Sequence, residues 1–446
     1  MKNKTFLRGL AGLLGLIGIM GNVWAQNGFN MPYSQFGVGL GELPYNMPIA
    51  TRMGGAIYTR SGNNYVNPFN PASYASVETE SFVFDMGLSI QTSTLRDKNT
   101  STHDADGNLA YLTFAMPVTR WWKLAGGLMP ITTMDYESVS QSPYLDTGIV
   151  KTVYDGTGGA SMAFLGSAFN IPAGKGRTLQ AGFNVNYLTG RMQRAISFSF
   201  QGNDSTYYMN SRRYRETRLS NFTFDFGLQL KQQLGEHYTL GLGLVYKPYR
   251  DMTVRDKALI YTFHTSDETL VDTIFPLNGG DAEFNSRLEQ SSTLGFGLVL
   301  ERNKRWQLAA DATFSAWNGM RYTEDTSYSI FGSNALRYGP YSRYALGFER
   351  MGDMDAASYW GRISWSAGVH IEQGSLYLEL NGTETRIDEW GVGLGATLPM
   401  RKGRSLLTLS LGYSSYGSTD ILQRNTLTFG IAVSSCERWF VKRKFN

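Results

Sequence analysis

Residues 222–230 read Phe222-Thr223-Phe224-Asp225-Phe226-Gly227-Leu228-Gln229-Leu230, a strict alternation of apolar and polar or small residues. In an extended chain successive side chains point to opposite faces, so Phe222, Phe224, Phe226, Leu228 and Leu230 share one face. Thr223, Asp225, Gly227 and Gln229 share the other. The pattern recurs about a dozen times along the chain. A soluble sheet also alternates. The number of repeats, the glycines on the polar face and the start of the chain point instead to a transmembrane β-barrel, whose lipid-facing and lumen-facing residues alternate.

The first residues set the compartment. Lys2, Lys4 and Arg8 precede a short apolar run, Leu10 to Ile19, and Val23-Trp24-Ala25 offers small residues at −3 and −1. This reads as a secretory signal peptide over residues 1–25, the apolar run being too short for a spanning helix. Removing those three charges takes the formal net charge from +4 to +1, which gives no electrostatic reason to expect nucleic acid as a partner. Glycine (50 residues) and tyrosine (26) are abundant while charged residues make up 17%, as suits an exported β protein. Cys436 is the only cysteine, so no internal disulfide forms. No linker or change of periodicity divides the chain into two soluble domains.

Fourteen segments read as strands, roughly 80–97, 108–118, 121–135, 158–172, 177–201, 216–233, 238–254, 286–301, 305–317, 341–350, 361–372, 386–399, 405–416 and 424–435. The expectation is an all-β fold, an antiparallel barrel of about 14 strands over residues 80–435. An even count puts both barrel ends on the periplasmic side of a Gram-negative outer membrane. Connections such as Thr119-Arg120 and Leu234–His237 are short. The alternate ones, about 136–157, 202–215, 255–285 and 318–340, are long and polar and read as extracellular loops.

Lipid-facing rows include Phe82-Phe84-Met86-Leu88-Ile90, Tyr238-Leu240-Leu242-Leu244-Tyr246 and Leu427-Phe429-Ile431-Val433, with Trp306, Tyr187, Tyr246 and Tyr413 at row ends as interfacial girdles. The opposite faces carry Gly182, Gly227, Gly243, Gly295, Gly297, Gly393, Gly412 and Gly430 among others. A lumen lined with glycine leaves room for something inside; relief of strand curvature is the other reading. Asp85, Asp225, Asp311, Lys247 and Glu389 also fall on inward faces, as solvated lumen groups or as polar posts along a permeation path.

Residues 26–79 do not alternate and are rich in Gly, Asn, Pro and Tyr. They are either disordered or folded into the lumen as a hatch. They contain Asn67-Pro68-Phe69-Asn70-Pro71-Ala72, whose Asn-Pro steps start turns. The third strand segment reads Leu124-Ala125-Gly126-Gly127-Leu128-Met129-Pro130, and paired glycines followed by proline interrupt a strand because proline cannot donate to the ladder.

With its Asn70-Pro71-Ala72 motif, its interrupted third strand and its fourteen segments, the chain resembles the long-chain fatty-acid transporter (FadL/TodX) family over nearly its whole mature length. The C-terminal Arg438-Trp439-Phe440-Val441-Lys442-Arg443-Lys444 resembles the tail of a Bacteroidota-type branch; residues 436–446 read as a basic periplasmic tail. The resemblance implies an N-terminal hatch and an inward kink in strand three that opens a lateral gap. It implies hatch movement around Asn70, Pro71 and Ala72 that connects an apolar pocket to the break at Gly126, Gly127 and Pro130. No fatty-acid-contacting residue matches individually.

The four histidines, His103, His237, His264 and His370, lack metal-ligand spacing and a Gly-x-Ser-x-Gly element, and each reads as exposed. Neither catalysis nor a metal or cofactor is expected. The expected function is passive uptake of a hydrophobic small molecule, landing on aromatic loops around Tyr322, Tyr328, Phe331, Tyr338 and Tyr341. The competing reading is a non-transporting subunit of an outer-membrane secretion or barrel-assembly complex. Expected partners are outer-membrane lipid, the hydrophobic molecule and, on the second reading, other envelope proteins.

Overall fold

The computed structural model describes residues 31–438 apart from 36–38, 40–45, 99, 145–147, 203–208, 264–269, 276–282, 303–304, 317–319, 324–335, 381–382 and 401–403. Residues 1–25, read above as a signal peptide, residues 439–446 of the expected basic tail, His264, Tyr328 and Phe331 lie outside the described residues.

Fourteen antiparallel staves close into one barrel. They are β1 (Ser81–Arg96), β2 (Ser101–Pro117), β3 (Trp122–Tyr144), β4 (Gly148–Pro172), β5 (Arg177–Gly202) and β6 (Asn210–Leu234). Then come β7 (Tyr238–Lys247, resuming as Arg250–Phe263), β8 (Glu283–Gln290, resuming as Thr293–Arg302) and β9 (Trp306–Ser315, resuming as Met320–Thr323). The ring is completed by β10 (Tyr341–Arg350), β11 (Ser364–Gln373), β12 (Glu389–Met400), β13 (Ser405–Ser418) and β14 (Leu422–Arg438). The β1–β14 ladder runs from Ser81↔Arg438 to Arg96↔Gln423 and leaves no edge there. Closure matters because an open sheet edge in hydrocarbon leaves backbone groups unsatisfied.

The faces follow the alternation. Phe84, Leu88 and Ile90 of β1 are exposed while Val83, Asp85, Ser89 and Gln91 between them are buried. Phe222, Phe226 and Leu228 are exposed on β6; Thr223, Asp225 and Gln229 are buried. Tyr187, Tyr246, Trp390, Leu394, Leu427 and Phe429 continue the outward belt. Water would not tolerate so continuous an apolar band, whereas lipid is its natural solvent.

The wall is uneven in height. β3 to β6 have 23, 25, 26 and 25 residues, whereas β10 and β11 have ten each. Roughly ten tilted residues suffice to cross a bilayer, so the tall staves rise far above it. This corrects the expected loops at 136–157, 202–215 and 255–285. Most of those residues continue the ladders, for example Tyr136↔Gly156 and Arg215↔Ala258. The reading of these segments as loops rested on their polarity, but a crown in water needs no apolar outer face. Inside the crown Met134, Met192, Leu219, Met252 and Leu288 are buried together. On the low side a separate three-stranded sheet (Leu336–Tyr338, Leu376–Leu380, Thr383–Arg386) stands above the barrel rim.

Candidate functional site

The described N-terminal residues before β1 fill the lumen. Met47, Ile49, Ala50, Met53, Ala56, Ile57, Tyr58, Ala72 and Tyr74 are buried, and this segment is the hatch of the barrel. Its packing explains the inward glycines. Asn70, Pro71 and Ala72 lie on Gly182 of β5 and Gly227 of β6, which face each other across the ladder. A Cβ at Gly182 would lie 2.5 Å from the Pro71 carbonyl carbon, and one at Gly227 would overlap Asn70 Oδ1. Gly243, Gly295 and Gly297 make room for Tyr58, Gly347 and Gly368 for Met53, and Gly393 for Thr51. The glycines are a track that lets hatch backbone lie directly on wall backbone.

Asn70 has an architectural task. Its side chain caps the short helix Pro71–Ser76 by accepting from Ala72 N at 3.1 Å, and donates to Tyr58 O at 2.8 Å and Leu228 O at 3.3 Å. Asn67 donates to Ile57 O and Arg60 O, both at 2.8 Å. Both asparagines thus tie together hatch turns and help to satisfy their buried carbonyls.

The inward polar residues meet this hatch. Asp311 accepts from Ile57 N and, at 2.8 Å, from Tyr58 N. Asp85 accepts from Tyr111 and Ser434 hydroxyls at 2.9 Å and from Val66 N at 3.4 Å. Gln229 donates to Tyr58 O at 2.8 Å. Asp225 is buried opposite Asn184, and Lys247 is half-buried at the upper end of the first part of β7. Glu389 lies 3.5 Å from His370 Nε2 beside a polar chamber of about 40 Å³ that Arg343 and Glu372 also line. His370 is therefore half-buried, not exposed as expected, because it points inward from β11. Tyr341, expected in an aromatic landing patch, is buried and donates to Glu372 at 3.0 Å. Tyr322 falls in the second part of β9 and Tyr338 in the separate sheet.

The strongest tie escaped the sequence reading. Glu349 of β10 is buried between Arg52 and Arg60 of the hatch, bonding one through each carboxylate oxygen, with Gln307 adding a third donor. Arg343 of the same stave donates to Gly54 O and Gly55 O at 3.2 and 3.4 Å. Glu349 alternates with exposed Phe348 and so was readable as inward. Two arginines inside an apolar hatch stretch were the signal that it would have a partner there.

The wall is incomplete between β2 and β3. β2 and β3 pair from Pro117↔Lys123 to Leu112↔Leu128 and then no further, although β2 extends back to Ser101 and β3 forward to Tyr144. The ladder stops as Pro130 approaches, and the β3–β4 register shifts between Pro130 and Thr132. Gly126 and Gly127 lie just below the gap, within the paired stretch, against Phe114, Leu112 O and Phe164. Hatch residues cover part of the free β3 edge: Met31 N donates to Asp135 O at 2.6 Å, and Asp135 N to Ser34 Oγ at 3.1 Å. The Asn70-Pro71-Ala72 motif sits on β5 and β6; the hatch approaches Gly127 through Tyr74, whose ring stacks 6.4 Å from Phe164.

Among solved structures the fold is similar to that of a Pseudomonas aeruginosa FadL homologue (TM-score 0.51, 12% identity, 90% of this chain and 98% of that one). It is also similar to the Pseudomonas putida toluene transporter TodX (TM-score 0.50, 14% identity, 93% of this chain and 100% of that one). No curated protein matches the sequence. The closed barrel with its apolar belt is an outer-membrane protein of a Gram-negative bacterium. The expected resemblance to FadL and TodX therefore holds for the fold. The sequence itself is matched over residues 11–446 by the family model described as BamG, and on that match the chain belongs to the BamG family.

Proposed function

We propose that the protein is a passive route for hydrophobic compounds across the outer membrane, with the gap between β2 and β3 as a lateral exit. The observation that carries this reading is the ladder that ends at Leu112↔Leu128 while both staves continue. Above the hatch the crown offers an apolar, methionine-rich interior, and Ile131 and Met134 of that cluster belong to β3 itself beside the gap. Methionine adapts its shape to varied apolar ligands. A compound gathered there reaches the bilayer sideways without crossing periplasmic water. The hatch stretch at Met31–Ser34 is the part that must yield, and Asn70, Pro71 and Ala72 anchor the remainder. The similarity in fold to a toluene transporter supports hydrophobic compounds as the cargo.

The test uses two variants of opposite sign. Pro130→Val restores a ladder donor and favours pairing of β3 with β2, so uptake of a hydrophobic fluorescent probe falls. Ser34→Ala removes a hatch bond at the free edge, so uptake rises. Heat-modifiable gel migration shows that both are folded. Uptake unmoved by either variant overturns the lateral exit.

A second reading, a non-transporting barrel subunit of an outer-membrane secretion or barrel-assembly complex, draws on the buried Arg52–Glu349–Arg60 tie, which holds the hatch against displacement. Copurification of stoichiometric envelope proteins with no probe uptake selects it.

A further inference from the structure

Three neighbouring staves break at one height. β7 leaves the ladder after Lys247↔Thr293 and resumes at Arg250↔Gln290; Pro248, between them, has no N–H to give. β8 leaves it at Ser291 and Ser292, and β9 after Thr293↔Ser315, resuming at Gln290↔Met320. The result is a transverse notch in the wall at the upper end of the lipid-facing belt. The separate sheet stands over it, bringing Tyr377 and Arg386, which pair with each other across its ladder. Together they enclose an outward groove of about 690 Å³.

The groove is lined by Tyr246, Leu294, Phe314 and Tyr344, all exposed members of the belt. The Phe314 and Tyr344 rings meet edge-on at 5.8 Å. Ser342 and Gln373, bonded to each other at 3.0 Å, give it a polar margin. Its volume is that of a small-molecule site, and its lining combines aromatics with a few polar groups. Because the groove opens from the lipid-facing surface, its occupant comes from the bilayer. We propose that it holds an acyl chain of an outer-leaflet lipid, with the lipid's polar end at the Ser342–Gln373–Arg386 margin. The site lies on the outside of the wall, away from the hatch and the β2–β3 gap, and does not depend on the transport reading.

The test uses the full chain in vesicles of phosphatidylethanolamine and phosphatidylglycerol containing a phospholipid with a photoactivatable diazirine in its acyl chain. Adducts are mapped by mass spectrometry. Adducts at Tyr246, Leu294, Phe314 and Tyr344 are expected to exceed those at Phe183 and Leu394, equally lipid-facing but outside the groove, by about fivefold. Ser342→Trp fills the groove and returns them to the belt level, whereas Leu346→Trp, on the same stave below it, leaves them high. If Ser342→Trp fails to assemble, Phe314→Ala replaces it and loses the enrichment by removing half of the aromatic pair. Labelling equal to that of Phe183 and Leu394, or enrichment that survives filling, overturns the proposal.

Discussion

The β5–β6 wall and the β2–β3 gap treat the hatch in opposite ways. At β5–β6 the ladder is continuous from Arg177↔Gln232 to Phe198↔Ser211, and facing glycines bring hatch backbone onto wall backbone. At β2–β3 the ladder ends early, and the hatch touches the free edge through a few bonds at Asp135. The hatch is fixed where the wall is complete and lightly held where it is open. On the proposed route, the hatch moves first at the gap.

The largest expected effect is on the fixed side. Glu349→Gln leaves Arg52 and Arg60 buried without a counter-charge, which costs on the order of 3–5 kcal/mol. The hatch should then loosen, and single-channel conductance and sensitivity to large antibiotics should rise while the barrel still shows heat-modifiable migration. Unchanged conductance would mean that the glycine track alone holds the hatch.

The face assignment comes next. Phe226→Arg places a charge on the lipid face and should lower assembly by roughly 2–4 kcal/mol. Read from sequence, Gln229→Arg on the opposite face should be mild. The structure changes that expectation, because Gln229 is buried under the hatch and donates to Tyr58 O. Gln229→Arg should assemble normally yet release the hatch, so the two variants separate by assay, heat-modifiability against conductance.

Gly227→Val should act on the hatch alone, since the new side chain meets Asn70 and Pro71. Overpacking of this kind costs about 1–3 kcal/mol. The smallest effect sharpens the contrast. A Cβ at Gly107 finds its nearest neighbour 3.8 Å away, so Gly107→Ala should shift thermal unfolding little. An equal response at both positions would deny that the inward glycines form a track. Gly127→Val is a poor probe of the gap, because its Cβ would press on Leu112 O and distort the paired wall.

The belt was legible because lipid and lumen impose opposite chemistry on alternate residues, and Phe222 to Leu230 carry that contrast in nine letters. An interruption of the third strand was expected at Gly126, Gly127 and Pro130, but β3 runs unbroken from Trp122 to Tyr144 with only a register shift beside Pro130. The height of β3 to β6 was not legible, because staves in water above the membrane keep no apolar outer face. Nor was the occupant of the lumen. Glycines such as Gly182 and Gly227 announce space, but only tertiary contact shows that Asn70 and Pro71 fill it. His370 was misread as exposed because a strand-end position says nothing about a hatch that covers it.

The glycine track also constrains the order of events when the protein is made. The hatch is braced at once by Asp85 of β1, Gly182 and Gly227 of β5 and β6, Asp311 of β9 and Glu349 of β10, staves from all round the ring. A segment held by so many staves is expected to be in place before the β1–β14 ladder closes, which barrel assembly of a variant with the hatch deleted would check.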